Sequence, residues 1–266
     1  GTLDVSSSTG AGIGGAYQDP NDASGDPNCG TVEIKGGTVT AIGGRGCAGI
    51  GGGSGADYSP GNGGTVTISG GTVTAAGGVD SSGKCGGAGI GGSAGESDGS
   101  YPGSGGTLTI SGGHVTLTAG NSTSYGFGQG TGRAPGGTCE LTLTDASYLD
   151  SSTTLDPNGK YTINGDPTED MIVVPEGLVY TGQALDVSGI KIDDTKTGTG
   201  TYFNQTFTVK ASADGWELQP LSNVVEAGEY TATFKKGDKE ISKTFTVAQS
   251  GTQFTGDGEV KTYNGD

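Results

Sequence analysis

Three segments of the chain carry the same combination of a tyrosine and nearby oxygen-bearing side chains. Each follows a copy of the phrase Ala-Gly-Ile-Gly-Gly, which stands at residues 11–15, 48–52 and 88–92. An aromatic face stacks on a sugar ring and carboxylates accept hydrogen bonds from hydroxyls, so this combination is typical of a carbohydrate-binding surface. The candidate glycan-binding residues are Tyr17, Asp19, Asp57, Tyr58, Asp98 and Tyr101.

These segments also have a purely structural interpretation. Asp-Pro-Asn at residues 19–21 and Tyr-Pro-Gly at residues 101–103 are turn-forming sequences, because proline presets one backbone angle and Asn, Asp and Gly tolerate the unusual ones. Under this interpretation the tyrosine rings pack on neighbouring loops and bind no ligand. The sequence leaves both interpretations open.

The first of these segments is also rich in side-chain oxygens that suit a hard cation. Calcium takes six to eight oxygen ligands from carboxylates, amides and carbonyls. The spacing here does not match an EF-hand loop, and two prolines interrupt it. Ca²⁺ is therefore a hypothesis and no cofactor is required. The candidate calcium ligands are Asp19, Asn21, Asp22 and Asp26.

The four cysteines suggest one disulfide. Cys47 and Cys85 each stand shortly before a copy of Ala-Gly-Ile-Gly-Gly. If those copies stack, the two Cα atoms come near the separation of about 5.5 Å that a disulfide prefers, so we predict a Cys47–Cys85 bond. Cys29 is a competing partner for Cys47, whereas Cys139 replaces an inward valine and is predicted to be a buried thiol. A zinc site is not indicated, because no Cys-x-x-Cys pair is present and His114 is the sole histidine.

The sequence contains no recognisable catalytic set. Enzymes that cleave polysaccharides need a paired acid and base, yet Glu33 and Glu140 stand far apart in the chain. The Gly-x-Gly strings are not followed by a helical pattern, which argues against a phosphate-binding loop. We therefore expect a protein that is not an enzyme.

The elements that position these residues follow from a second repeated phrase. Residues 30–41 return with few changes at residues 64–75 and 106–117, and each copy alternates apolar and polar residues around a Gly-Gly pair. Such a copy predicts two short strands joined by a corner, with too few apolar side chains to be stable alone. Stacking the copies one strand spacing apart, about 4.8 Å, would build continuous internal columns. We predict a right-handed parallel β-helix (β-solenoid) of about three to four coils over residues 1–150.

The placement of glycine supports this division of the chain. Residues 1–140 hold 44 of the 58 glycines, and glycine suits sharp corners because it lacks a β-carbon. From about residue 167 the pattern changes to short strand-like runs about ten residues apart, which suits an Ig-like β-sandwich over residues 167–249. Trp216 is expected in its core. Residues 151–166 are predicted as a linker or cap, and residues 250–266 as a linker or the start of a truncated next module.

Both halves resemble known surface proteins. The phrases of the first half are similar to repeats of large secreted or wall-attached proteins of Gram-positive, often gut-dwelling, bacteria. Val179-Tyr-Thr-Gly-Gln183 and Glu226-Ala-Gly-Glu-Tyr-Thr-Ala-Thr-Phe234 are similar to bacterial Ig-like surface modules. The resemblance implies an extracellular, cell-surface or secreted adhesin whose partner is a host or dietary glycan or glycoprotein. A carbohydrate-binding module of a larger secreted enzyme is the alternative.

Charge and hydropathy exclude two other classes of partner. The net charge of -16 argues against nucleic acid, which is bound through lysine and arginine. No apolar run approaches the roughly 20 residues of a membrane span. We expect a monomeric part of a longer chain. A minor alternative is an ice-binding solenoid, since Thr-x-Thr recurs at 38/40, 65/67, 72/74 and 107/109, although threonine is also the common exposed strand residue.

Overall fold

The computed structural model describes residues 1–19, 25–54, 60–95, 101–132, 136–180, 182–221, 224–256 and 259–263. Within these residues the regular structure is β-strand, with two short 3₁₀ helices at Ala146–Tyr148 and Glu169–Met171 and no α-helix. The predicted all-β class is therefore confirmed. Over the same residues, no helix is both long enough and apolar enough to cross a membrane.

Twenty-three strands are present in the described parts of the chain. The first thirteen are β1 Thr2–Ser6, β2 Ile13–Gly14, β3 Thr31–Ile34, β4 Thr38–Ile42, β5 Ile50–Gly51, β6 Thr65–Ile68, β7 Thr72–Ala76, β8 Ile90–Gly91, β9 Gly106–Ile110, β10 His114–Thr118, β11 Phe127–Gly128, β12 Cys139–Leu143 and β13 Lys160–Gly165. The others are β14 Ile172–Val173, β15 Val179–Tyr180, β16 Lys191–Ile192, β17 Thr197–Tyr202, β18 Gln205–Ala211, β19 Glu217–Leu218, β20 Gly228–Lys236, β21 Lys239–Gln249, β22 Thr252–Gly256 and β23 Glu259–Tyr263.

The chain forms two compact units. The first contains Gly1–Asn164 together with Gly200–Thr208, and the second contains Gly165–Thr199 and Val209–Asp266. The first unit thus includes β13 up to Asn164, and it also includes a short segment that lies much later in the chain. That later segment lies within residues 167–249, which were predicted to form an Ig-like β-sandwich.

Three sheets of parallel strands make up the repeats of the first unit. The first sheet has the order β1-β4-β7-β10 and the second sheet the order β2-β5-β8-β11. The third sheet runs β3-β6-β9-β12-β13 in parallel, and beyond β13 it is extended by the parts of β18 and then β17 that belong to the first unit. Each copy of the long phrase gives one strand to the third sheet and the next to the first, while each Ala-Gly-Ile-Gly-Gly phrase gives one strand to the second.

The repeats stack in register, so equivalent side chains form columns. In the third sheet Val66 pairs with Val32 on one side and Leu108 on the other. In the second sheet Ile50 pairs with Ile13 and Ile90. The inward members of the middle repeats are fully buried. The columns predicted from the repeated phrases are therefore confirmed, and their burial supplies the apolar area that no single repeat has.

Glycine is required at the corners between the third and first sheets. Gly71 has φ +90°, and a β-carbon there would lie 2.4 Å from the carbonyl oxygen of Gly37 in the preceding repeat. Gly91 in the second sheet has φ +138°, and a β-carbon would lie 2.0 Å from the oxygen of Gly128. At both positions the backbone angle and the close approach of a neighbouring repeat exclude a side chain.

The segment after β12 covers the last strands of two sheets. Leu149 forms a parallel bridge with Val115 of β10, and Leu155 forms one with Phe127 of β11. Both leucines are buried. Within the first unit Tyr161 stacks on Phe207, with ring centroids 5.1 Å apart. This covering protects sheet edges that would otherwise offer unpaired backbone groups.

The second unit is built around a long antiparallel hairpin. β20 and β21 pair from Gly228↔Val247 to Lys236↔Lys239, and they lie in a four-stranded sheet of order β15-β21-β20-β19. Strands β14 and β16 form a separate antiparallel pair, as do β22 and β23. Trp216 is buried, as expected for a core residue.

Candidate functional site

Three loops project from the first unit between the second and third sheets. They connect β2 to β3, β5 to β6 and β8 to β9, and we call the described residues of 15–27, 53–61 and 93–103 the loop ridge. A backbone hydrogen bond closes the base of each loop. These bonds run from Ala16 N to Asp26 O (3.0 Å), from Gly61 N to Gly53 O (2.9 Å) and from Gly103 N to Ser93 O (3.0 Å).

The loops are also bonded to one another. Gln18 N donates to Ser54 O at 3.1 Å, which joins the first loop to the second. Ser93 N donates to Gly61 O at 3.0 Å, and the fully buried Ser93 hydroxyl accepts from Gly61 N at 2.8 Å. The loop bases therefore continue the stacking of the sheets below them.

Tyr17 and Tyr101 are the exposed tyrosines among the side chains that the structure describes. Tyr17 is 42% exposed and Tyr101 is 68% exposed. Tyr17 lies at the start of the first loop and Tyr101 near the end of the third, two residues before the base-closing Gly103. Both rings therefore belong to the loop ridge, but Tyr17 lies on the N-terminal leg of its loop and Tyr101 on the C-terminal leg. The two rings are thus not at equivalent positions of the repeats and do not stack in one column.

The remaining predicted glycan-binding residues divide into two groups. Asp19 is an exposed residue of the first loop. Asp57, Tyr58 and Asp98 lie outside the described residues, so their part in the surface stays a prediction. The structure thus brings Tyr17, Asp19 and Tyr101 to one edge of the first unit.

A row of polar side chains that the sequence analysis missed runs beside the loop ridge. The Asp26 Oδ1 atom accepts from the backbone N and Nδ2 of Asn28, at 2.9 and 3.0 Å. Asn28 Oδ1 accepts from N and Nδ2 of Asn62, at 3.0 and 2.9 Å. Asn62 Oδ1 then accepts from N and Oγ of Ser104, both at 2.9 Å.

We call Asp26, Asn28, Asn62 and Ser104 the polar ladder. The last three members each stand two residues before the first glycine of a long phrase, at residues 30, 64 and 106. That constant spacing is the signal by which the ladder could have been found. Its hydrogen bonds tie three repeats together where the loops leave the sheets, and so hold the loop ridge in place.

The predicted calcium ligands are only partly described. Asp19 and Asp26 are exposed loop residues, and Oδ1 of Asp26 is occupied by its two bonds from Asn28. Asn21 and Asp22 lie outside the described residues. Over the residues that the structure covers, no group of three or more His, Cys, Asp or Glu side chains could hold a metal ion. Calcium binding by this loop stays a prediction.

The predicted Cys47–Cys85 disulfide is not formed in the structure, in which all four cysteines are buried thiols. The pairing of Ile50 with Ile90 places Gly87, rather than Cys85, over Cys47. The Cys47 thiol donates instead to Thr9 O at 3.0 Å. The pair stays a prediction for the oxidised protein, and a count of four thiols after unfolding would exclude it.

Cys139 is placed as expected, in an inward position of β12. Its thiol lies 3.9 Å from the Tyr161 hydroxyl, which donates to the carbonyl oxygen of Asp156. Burial raises the pKa of Cys139 to about 11, so the thiol stays protonated at neutral pH. Such a group is a poor nucleophile and packs as a small apolar side chain.

The two outward glutamates of the third sheet do not meet. Glu33 lies on β3 and Glu140 on β12, three strands away and therefore about 14 Å apart along the stack. Each has a lysine neighbour, Lys35 at 3.1 Å and Lys160 at 3.6 Å. Pairs of carboxyl groups that cleave glycosidic bonds stand about 5–9.5 Å apart. These glutamates are therefore not arranged as such a pair.

Outward threonines form short columns on the first and third sheets. Thr31, Thr65 and Thr107 pair in sequence, but Glu140 and Lys160 continue the column. On the first sheet, His114 continues the column that contains Thr38 and Thr72. Charged and bulky members thus limit the flat threonine surface that an ice-binding solenoid would need.

No protein family, no curated protein and no solved structure matches the chain.

Proposed function

We propose that this chain is a non-catalytic, extracellular surface protein that binds glycans through the loop ridge. The observation that carries the proposal is the ridge itself: three loops from successive repeats, each closed at its base and bonded to its neighbour, with Tyr17 and Tyr101 exposed. An exposed ring on a fixed loop base loses little freedom when it stacks on a sugar, which favours binding. Extracellular placement rests on the resemblance of the repeats to bacterial surface proteins.

The proposed scaffold for this ridge is a right-handed parallel β-helix. The three parallel sheets support it, because consecutive repeats give their strands to the sheets in the same order and register. Such a scaffold displays similar loops at intervals of one strand spacing. Several weak contacts made at once then gain strength, because the second contact forms at high effective concentration.

The second unit is proposed to be an Ig-like β-sandwich that serves as a spacer. Its antiparallel hairpin and buried Trp216 suit that fold. In addition, the Tyr230 hydroxyl donates to the carbonyl oxygen of Glu226 at 2.9 Å, four residues earlier, at the start of β20. A tyrosine with this backbone contact is a recurrent corner of Ig-like folds.

The test is a binding screen on immobilised polysaccharides with matched variants. Replacing both rings, Tyr17→Ala with Tyr101→Ala, should weaken binding at least about fivefold, because each ring contributes roughly 0.5–1.5 kcal/mol by stacking. Tyr17→Phe with Tyr101→Phe should keep most of the affinity. Val79→Ala is the control, since Val79 is exposed and lies outside the loop ridge.

The readout is the amount of protein retained by each polysaccharide, with thermal melting as a check that every variant is folded. The proposal fails if the screen yields no glycan whose binding falls in the double alanine variant. Equal loss in the Val79→Ala variant would also contradict it, because the effect would then not belong to the ridge.

A further inference from the structure

We infer that the end of the first unit formed by β1, β2 and β3, which we call the open end, binds a second copy of the same chain through antiparallel pairing of the two β3 strands. This inference does not depend on glycan binding, and it differs from the monomer expected from the sequence. It follows from an apolar end surface, from the direction of the backbone groups of β3 and from the order of two charges on that strand.

The open end exposes the first members of the apolar columns. The strands β1, β2 and β3 are each the last strand at one edge of their sheet. Leu3 is 47% exposed, whereas Val39, its partner in the next repeat, is buried. Ile13 and Val32 begin columns of the other two sheets and are half-buried, while the residues that follow them in those columns are fully buried. A further layer of strands would bury this apolar surface.

The opposite end of the stack offers no matching surface among the described residues. Leu149 and Leu155 cover the ends of the first and second sheets, and the third sheet is extended beyond β13. This covering disfavours head-to-tail stacking, the arrangement that builds open filaments. Two copies can instead meet through their open ends about a two-fold axis, and such a contact closes at two chains.

The backbone of β3 is oriented for this contact. Ser69 N in the next repeat donates to Ile34 O at 2.9 Å, so Ile34 directs its backbone groups towards β6. Because successive residues of a strand direct their N–H and C=O groups to opposite sides, those of Glu33 and Lys35 are directed to the open edge. With Ile34 on the two-fold axis, Glu33 and the partner's Lys35 exchange backbone hydrogen bonds, as in an ordinary antiparallel ladder.

The charges of β3 favour this register over its neighbours. Glu33 and Lys35 point outward, with side chains 56% and 74% exposed and their charged atoms 3.1 Å apart. With Ile34 on the axis, each of these charges lies opposite a charge of the other sign in the partner. Shifting the ladder by one hydrogen-bonded pair in either direction opposes two glutamates or two lysines, which destabilises a strand pair.

The experiment measures the mass of the full chain in solution as its concentration is raised, by light scattering or sedimentation. Physiological ionic strength is used because it screens the long-range repulsion between two chains of net charge -16. We expect the mass to rise from one chain to two at or below about 1 mM. Hydrogen exchange of the Glu33 and Lys35 amides should slow in the dimer, since these amides become bonded across the axis.

Two charge reversals and their mixture test the register. Glu33→Lys and Lys35→Glu each oppose like charges across the axis and should weaken dimerisation at least about tenfold, because opposed like charges strongly disfavour an interface. An equimolar mixture of the two variants should restore dimerisation, because each lysine of one chain then lies opposite a glutamate of the other. Glu140→Lys is the matched control, since it reverses an outward glutamate of the same sheet whose strand is paired on both sides.

Several results would overturn the inference. One is a chain that stays monomeric at about 1 mM. Others are a dimer that both reversals leave intact, a mixture that does not recover, and growth into species larger than a dimer. Thermal melting shows whether each variant is folded, and recovery in the mixture would itself show that both reversed chains keep the structure of β3.

Discussion

At the scale of single residues, Asp80 shows how a carboxylate can serve loop structure. Its Oδ1 atom accepts from Lys84 N at 2.8 Å and from Cys85 N at 3.0 Å, and its Oδ2 atom accepts from the Ser82 hydroxyl. The hydrogen bond from Cys85 N and the one from Ser82 lower the pKa of this carboxyl. Asp80 therefore stabilises the turn at residues 80–85 in its ionised form.

This lowered pKa gives a pH-dependent prediction for stability. Because the folded pKa lies below the unfolded value, the stabilisation is fully present above the unfolded value and is lost as the pH falls through the folded one. Asp80→Ala should lower the melting temperature at neutral pH by about 1–3 °C, a small effect because the side chain is only partly buried and solvent screens its interactions. Melting curves at neutral and at strongly acidic pH check this. A difference that does not shrink in acid would contradict it.

At the scale of elements, the polar ladder should stabilise the stacking of the repeats. Asn62→Ala removes the bond to Asn28 and both bonds from Ser104, whereas Ser104→Ala removes only the hydroxyl bond. The three lost hydrogen bonds, at about 0.5–1.5 kcal/mol each, should lower the melting temperature by about 3–18 °C, since each kcal/mol corresponds to about 2–4 °C in a protein of this size. Calorimetry of both variants measures the effect, and the prediction fails if Ser104→Ala costs as much as Asn62→Ala.

The strands of the first unit could be predicted from sequence, but the loops could not. Alternation with period two and recurrent glycine corners set the register, so the columns through Val66 and Ile50 follow directly. Loop residues do not share that register, because the connections differ in length. The insertion before the third Ala-Gly-Ile-Gly-Gly phrase moves Cys85 two positions away from the place over Cys47. Tyr17 and Tyr101 lie on opposite legs of loops of equal length, because the loop sequences do not repeat in register.

The extension of the third sheet beyond β12 also could not be predicted from the sequence. β13 and the segment Gly200–Thr208 lack the repeated phrases, yet both belong to the first unit. Their pairing is set by tertiary contacts such as the stacked rings of Tyr161 and Phe207. Periodicity reports which residues face inward on a strand, but it does not report which distant strand covers an edge.

At the scale of the whole molecule, the excess of negative charge should weaken the folded state at low salt. A net charge of -16 causes self-repulsion that unfolding relieves. Raising the salt concentration shortens the Debye length and screens this repulsion, so the melting temperature should rise by a few degrees between low and physiological ionic strength. Calorimetry in sodium chloride measures it, with an uncharged osmolyte of equal osmolality as the control. A melting temperature that stays constant or falls with added salt would contradict this prediction.

Because a backbone hydrogen bond closes its base, each loop of the ridge can be replaced by another loop without changing the sheets below it. The residues between the base-closing bonds number nine in the first loop (17–25), seven in the second (54–60) and nine in the third (94–102), yet all three loops leave and rejoin the sheets at stacked positions. Doubling the length of a flexible loop costs only about 0.6 kcal/mol in closure entropy. Sequence and length between those bonds can therefore diversify without disturbing the column residues, so a chain of this design can change what it recognises while conserving its framework.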